Sequence, residues 1–181
     1  MKKIKTIFHF ITLLVLSAWV LTGFAADKPY QNSVITLTIP DTWHISEEDP
    51  NADYGSITLE QGKFFGSGLV TITWSDNRVY EAENAETLQT WANYALESWF
   101  FTNPQMSEPT ISTYGAFTAN RLNAKLQIFF QPFEAIFYNF VAQQHSVSIM
   151  QFGATEDKKI NQKGFERIQQ SLRMVEIPPK N

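Results

Sequence analysis

The chain has 181 residues, none of them cysteine, so neither a disulfide nor a lipidated cysteine can support it and stability must come from an apolar core. Its formal charge is −4 at pH 7, an acidic balance that argues against a nucleic-acid-binding domain and against docking on anionic lipid.

The N-terminus reads MKKIKTIFHFITLLVLSAWVLTGFAADKP. Lys2, Lys3 and Lys5 precede an apolar run from Ile7 to Leu21, and Gly23 and Ala25 put small residues at the −3 and −1 positions of a cleavage site. This is the three-part pattern of a secretory signal peptide over residues 1–25, with a single domain over 26–181. The competing reading is a membrane anchor, which needs about 20 apolar residues; this run is shorter and carries His9, Thr12 and Ser17. Removing three lysines leaves 11 basic against 18 acidic residues, a net charge near −7. The expected location is periplasmic or secreted, without stable membrane insertion after cleavage. No internal linker, repeat or low-complexity run divides the remainder.

In VITLTIPDTWHI, Ile35, Leu37 and Ile39 alternate with threonines as in a half-buried strand, which Pro40-Asp41 ends. SEEDPNADYG reads as a polar loop. SITLEQ and GLVTITW read as two strands of a hairpin joined through the glycine-rich GKFFGSG. The period then changes: Leu88, Trp91, Ala92, Ala95, Leu96 and Trp99 form one helical stripe, with Asn84 as its N-cap and Asn103-Pro104 closing it. From Ala119 the period returns to two, with Leu122, Ala124, Leu126 and Ile128 on one face. Phe133–Ala142 is apolar on both faces, the mark of a strand in the middle of a covered sheet, and pairs as a hairpin with HSVSIMQFGA. A last helix, capped by Thr155 or Asp157, carries Ile160, Phe165, Ile168 and Leu172 before a frayed EIPPKN tail. The order β-ββ-α-βββ-α, with helices for both sheet faces, predicts an α/β/α sandwich of the α+β type around a largely antiparallel sheet.

A strand ending in Pro-x-x-Trp (ITLTIPDTW), a hairpin, the helix LQTWANYALESW, three long strands and the terminal FERIQQSLRM after FGATED carry a resemblance. Over residues 34–174 the chain resembles the PsbP-like superfamily, especially its exported bacterial members similar to DcrB. The resemblance implies a non-enzymatic domain that binds or steadies a protein partner in the envelope. It brings no catalytic set with it, and the metal-binding residues of some plant members find no matching positions here.

Trp43–His44 has two readings: His44 as ligand or base beside Glu47, Glu48, Asp49 and Asp53, or Trp43 as a packed corner with His44 in water. The family position of that tryptophan favours the corner. A transition metal needs three or four converging ligands, and after the leader only His44 and His145 remain, with no thiolate. The acidic loop lacks the spacing of a calcium loop, so neither metal nor cofactor is expected. There is no G-x-S-x-G elbow, and His145 and Ser146 are adjacent on a strand, so they face opposite ways. Phe64 and Phe65 are adjacent in a glycine-rich loop, which makes them candidate partner-binding anchors; the alternative is that one of them covers the sheet edge. The leading expectation is thus an envelope adaptor that binds an unidentified protein. A binder of a small apolar ligand between helix and sheet is the alternative, and a hydrolase with unrecognised acids the third.

N-terminal sequencing of the exported protein is expected to begin at Ala26. A product still starting at Met1 and sedimenting with membranes would contradict the leader reading.

Overall fold

The alternation of Ile35, Leu37 and Ile39 is realised as a strand, but not in the main sheet. In the computed structural model, which describes residues 26–62, 68–76, 85–98, 104–128 and 130–176, β2 (Ile35–Ile39) sits at the centre of a small antiparallel sheet. Its neighbours are β1 (Lys28–Gln31) and β11 (Arg173–Met174). The expected leader over residues 1–25, Asn84, Phe64, Phe65 and Trp99 lie outside the described residues.

The main sheet is built from β3 (Trp43–Asp49), β4 (Tyr54–Gln61), β5 (Gly68–Asp76), β6 (Gln105–Met106), β7 (Thr110–Tyr114), β8 (Phe117–Ile128), β9 (Gln131–Ala142) and β10 (His145–Ala154). Its order is β3-β4-β5-β10-β9-β8-β6, with β7 also paired to β8, and every pairing is antiparallel. Both expected hairpins are present. The β9–β10 connection is the two-residue turn Gln143-Gln144, with φ of 49° and 67°, a backbone whose twist matches the strands it joins. Placing β10 between β5 and β9 explains why nine of its ten residues, and half of the twelve of β9, are buried.

Helix α1 (Ala85–Ser98) covers one face, where Leu88, Ala92 and Leu96 pack on Leu122, Ala124, Phe133, Ala135, Phe137, Met150 and Phe152. Trp91 is half-buried at the flank of this stripe, edge-on to Phe137 at 5.3 Å. Helix α2 (Lys158–Ser171) and the small sheet cover the other face through Ile35, Leu37, Trp43, Ile57, Leu59, Ile72, Trp74, Ile149 and Ile168. The molecule is therefore an α/β/α sandwich with a mostly antiparallel sheet.

Two local readings are corrected. SEEDPNADYG is not all loop: Ser46–Asp49 belong to β3, Tyr54-Gly55 open β4, and residues 50–53 form the connection. β3 is an edge strand that pairs on one side, and its register shifts between Ile45 and Glu47. Every residue after Trp43 is exposed, so no burial alternation marks it, and its charges keep the edge from pairing with other chains. In the last helix Ile160 points to solvent, and the buried line runs through Asn161, Gly164, Ile168 and Leu172, with Phe165 half-buried beside it. Thr155–Asp157 forms a 3-10 turn, and Asp157, at the cap position, makes no side-chain cap bond.

Asn161 and Gly164 occupy core positions because of what lies beneath them. A Cβ added to Gly164 would fall 2.3 Å from Trp43 Nε1 and 2.5 Å from Cε2, so the indole lies against the bare helix backbone. Phe165 meets the same indole edge-on at 5.5 Å. Gly164→Ala is expected to lower the unfolding free energy by about 1–3 kcal/mol through overpacking. That outcome would run against the gain of about 1 kcal/mol that alanine ordinarily brings to a helix interior. Chemical denaturation checks it; a stabilised variant would show that the indole does not lie there.

Candidate functional site: a groove between α2 and the sheet

A groove of about 850 Å³ lies between α2 and strands β8, β9 and β10. Its sheet side follows from alternation and register. Tyr138 on β9 stands opposite Arg121, Ile136 lies between Asn123 and Gln151, and Glu134 lies between Lys125 and Gly153. The helix contributes Lys158, Asn161, Gln162, Phe165, Glu166 and Gln169. Contacts bridge both ends. Lys158 Nζ reaches Glu134 Oε2 at 2.8 Å, and Gln169 Nε2 donates to the Thr113 carbonyl at 3.3 Å. The span from Lys158 to Gln169 is about 16 Å of helix.

The floor is polar and incompletely satisfied. Asn161 is 0% exposed and Gln151 4%. Among the described residues neither Asn161 Nδ2 nor Oδ1, nor Gln151 Nε2, nor Arg121 Nε finds a hydrogen-bond partner. The rest of the Arg121 guanidinium is held: one Nη donates to Asn123 Oδ1 at 3.0 Å, and the group lies 5.9 Å from the centre of the Tyr138 ring. These four atoms are closed to solvent and lie beneath the groove surface; the groove is the candidate site for its size and its polar lining.

Behind this floor Tyr114 is fully buried and packs edge-on against Tyr138 at 5.0 Å. Burial pushes its phenol well above the ordinary tyrosine value; the Gln151 amide is close enough to oppose that in part. Neither the Tyr114 hydroxyl nor Gln151 Nε2 reaches hydrogen-bond geometry. Burial also raises Tyr138, with Arg121 acting against it.

The other residues weighed from the sequence do not line this groove where the structure describes them. Trp43 is 2% exposed and packed under α2, whereas His44 faces solvent: the packed-corner reading is the one the structure shows. Glu47, Glu48, Asp49 and Asp53 are all exposed. Glu48 Oε1 accepts from the Tyr30 hydroxyl at 2.7 Å, and Tyr30, through partial burial first and this bond second, is pushed up to about 12. Among the described residues no group of three His, Asp or Glu could hold a metal ion. His145 is buried at the start of β10, opposite Asp76, with Nδ1 3.1 Å from the Gln143 carbonyl; it shares no site with His44. Phe64 and Phe65 fall between Gly62, with φ of +85°, and Gly68, and are not described. Gly68 sits under Asn161, whose Oδ1 would be 2.8 Å from an added Cβ.

The groove residues were missed because each hides in a stronger pattern: Gln151 in an apolar strand, Asn161 in an amphipathic helix, Arg121 on an alternating polar face. The available signal was Asn161 at the i−4 and i−7 positions of Phe165 and Ile168, where an apolar residue belongs.

No protein-family profile matches the sequence, and a search of curated proteins finds no match. Solved structures do match in fold. LpqN, described as involved in cell envelope biogenesis of Mycobacterium tuberculosis, aligns with a TM-score of 0.53 at 15% identity, covering 88% of this chain and 96% of its own. Cyanobacterial PsbP (CyanoP) from Synechocystis aligns at 0.56 and 8% identity, covering 86% and 96%. The Saccharomyces cerevisiae Ran-binding protein Mog1p aligns at 0.51 and 10%, covering 84% and 97%.

Tyr114→Phe is expected to keep neutral-pH stability or raise it by about 1 kcal/mol, because the lost hydroxyl had no partner. A phenol raised by folding contributes stability below its unfolded value of about 10 and loses it as pH climbs beyond, so alkaline unfolding should move to higher pH in the variant. Loss of more than about 1 kcal/mol at pH 7 would contradict an unpaired hydroxyl.

Proposed function

We propose that this PsbP-like fold serves as an exported, non-enzymatic binding domain of the cell envelope that holds a protein partner. One observation carries the reading: the carboxylates lining the groove are already committed. Glu134 is ion-paired with Lys158 and Glu166 accepts from Gln162 Nε2 at 2.8 Å, while amide and hydroxyl side chains and the Arg121 guanidinium make up most of the remaining polar lining. Amides and guanidinium recognise; an acid–base pair or an activated nucleophile would be needed to hydrolyse. The same groups speak against the apolar-ligand alternative, since an apolar guest would bury them without partners.

The recurrence of the fold in an envelope-biogenesis protein and in a Ran-binding protein supports a binding role. Among the described residues no helix is long and apolar enough to cross a membrane. The chain joins the fold immediately after the proposed cleavage point: Asp27 Oδ2 accepts from Arg167 Nε at 2.7 Å. The partner-facing element of the proposal is the 62–68 connection, whose adjacent Phe64 and Phe65 cannot both enter the core from one strand face. Desolvating such an anchor in a partner's pocket supplies about 2 kcal/mol or more.

Crosslinking in cells tests this. The double substitution Phe64→Ser, Phe65→Ser is expected to leave the thermal midpoint nearly unchanged while removing the crosslinked protein. Unfolding of the variant, or retention of the partner at full yield, would place the interface elsewhere.

A further inference from the structure

We infer that β7 is a pairing edge for a second copy of this chain, joining two main sheets into one across a two-fold axis at Ser112. β7 lies at the end of the sheet and pairs on one side only, with β8. The two-residue turn between them sets which backbone groups look outward. Tyr114 and Phe117 close that turn as a bonded pair, so Ser112 and Thr110 also bond to β8, while Ile111 and Thr113 turn their N–H and C=O groups away. The neighbouring β6 end keeps the same parity, the Ser107 N–H donating to the Asn123 carbonyl at 2.8 Å. Gln169 Nε2 reaches the outward Thr113 carbonyl at 3.3 Å. Among the described residues that is the only hydrogen bond made to the outward groups of Ile111 and Thr113.

The two edges of the main sheet differ in a way that selects this one. β3 carries Glu47, Glu48 and Asp49 and a break in register, the devices that keep an edge unpaired. β7 reads Thr-Ile-Ser-Thr-Tyr, without charge, proline or register break, and its Ile111 is 75% exposed. An unguarded edge rich in β-branched residues accepts another strand.

Charge and register name the occupant as a second copy. Antiparallel self-pairing about Ser112 sets Ile111 of each copy opposite Thr113 of the other, and each such pair exchanges both of its backbone hydrogen bonds. Glu108 of one copy then falls opposite Ala116 of the other, in a turn that packs against the Gln169 carbonyl near the end of α2. The chain leaving that helix end carries Arg173, bonded to the Gln170 carbonyl. Opposite charges are thus brought to the same place at both ends of the seam, whereas self-pairing of β3 would set carboxylate against carboxylate. The Gly115 turns of the two copies stand about 20 Å apart along the seam, so one α2 clears the other. The axis is normal to the sheet, and both grooves open on the same face, with Ser112 of each copy lining its own. A five-residue strand is far short of the roughly 20–30 residues a side of a stable interface, which makes the dimer reversible.

The absence of cysteine makes the test direct. Ser112→Cys puts a single thiol at the axis, where opposed Cα atoms lie about 4.5 Å apart, inside the range a disulfide spans. Oxidation of residues 26–181 carrying it is expected to give about ten-fold more covalent dimer than Thr118→Cys, an exposed position one strand further from the axis. Sedimentation of the unsubstituted chain should show a reversible dimer with a Kd below about 1 mM. Ile111→Lys, at a side chain already in water, should keep the thermal midpoint and raise that Kd by about ten-fold. The inference is overturned if Ser112→Cys crosslinks no better than Thr118→Cys, or if the unsubstituted chain stays monomeric up to about 1 mM. A folded Ile111→Lys variant that dimerises as before would also overturn it, by placing the contact elsewhere. So would a thiol at position 112 that joins a different protein in cells and not its own copy. Should Ile111→Lys unfold, the comparison of the two cysteine variants decides alone.

Discussion

The indole of Trp43 against the backbone of Gly164 is the contact on which the rest of the structure depends. Trp43 opens β3 just after the chain leaves the small sheet, its backbone N–H donating to the Pro40 carbonyl at 2.9 Å. This turn places the tryptophan at the junction of the two sheets. The indole can underlie α2 only where the helix has no side chain, and Gly164 supplies that gap. Gly68 supplies a second one below, 3.1 Å from Trp43 Cη2 at its added-Cβ position. Two glycines and a tryptophan set how α2 lies over the sheet. A second tryptophan repeats the device: Trp74 lies against Gly55 and donates Nε1 to the Asn51 carbonyl at 2.8 Å.

Seating α2 in this way has a consequence for its neighbours. Gly164 and Phe165 sit on the Trp43 side, and Ile168 and Leu172 join the same core. The other flank of the helix, from Lys158 to Gln169, overhangs β8, β9 and β10 without filling the space beneath it. Asn161 lies at the junction, pressed over Gly68 and lining the groove. The groove is thus a product of how the helix is seated.

The sequence made the fold legible where burial follows periodicity. The β9–β10 hairpin, the β4–β5 hairpin, the Leu88–Leu96 stripe and the position of Trp43 were readable because each buries an apolar face at the period of its backbone. β3 was not, because an edge strand with its charges in water carries no such pattern. The small sheet escaped as a unit for a different reason: β1 and β11 are short, and β11 pairs with β2 from the far end of the chain. The site was the least legible part. Arg121, Gln151 and Asn161 come from three separate elements, and only topology brings them together. What marks them is a missing hydrogen bond, a property of the packed chain that no spacing encodes. Gly164 shows the same limit, since a glycine inside a helix reads as a weakness until the ring beneath it is seen.

The seat of α2 can be observed directly by proton NMR of residues 26–181. An indole against Gly164 places that residue's α protons in the ring current and within nuclear Overhauser range of the Trp43 ring protons. The account predicts strong cross-peaks between the two residues, with the Gly164 α resonances displaced far from their random-coil positions. Random-coil shifts at Gly164, with no cross-peak to Trp43, would mean that α2 is seated by something else and that the groove described here does not have this shape.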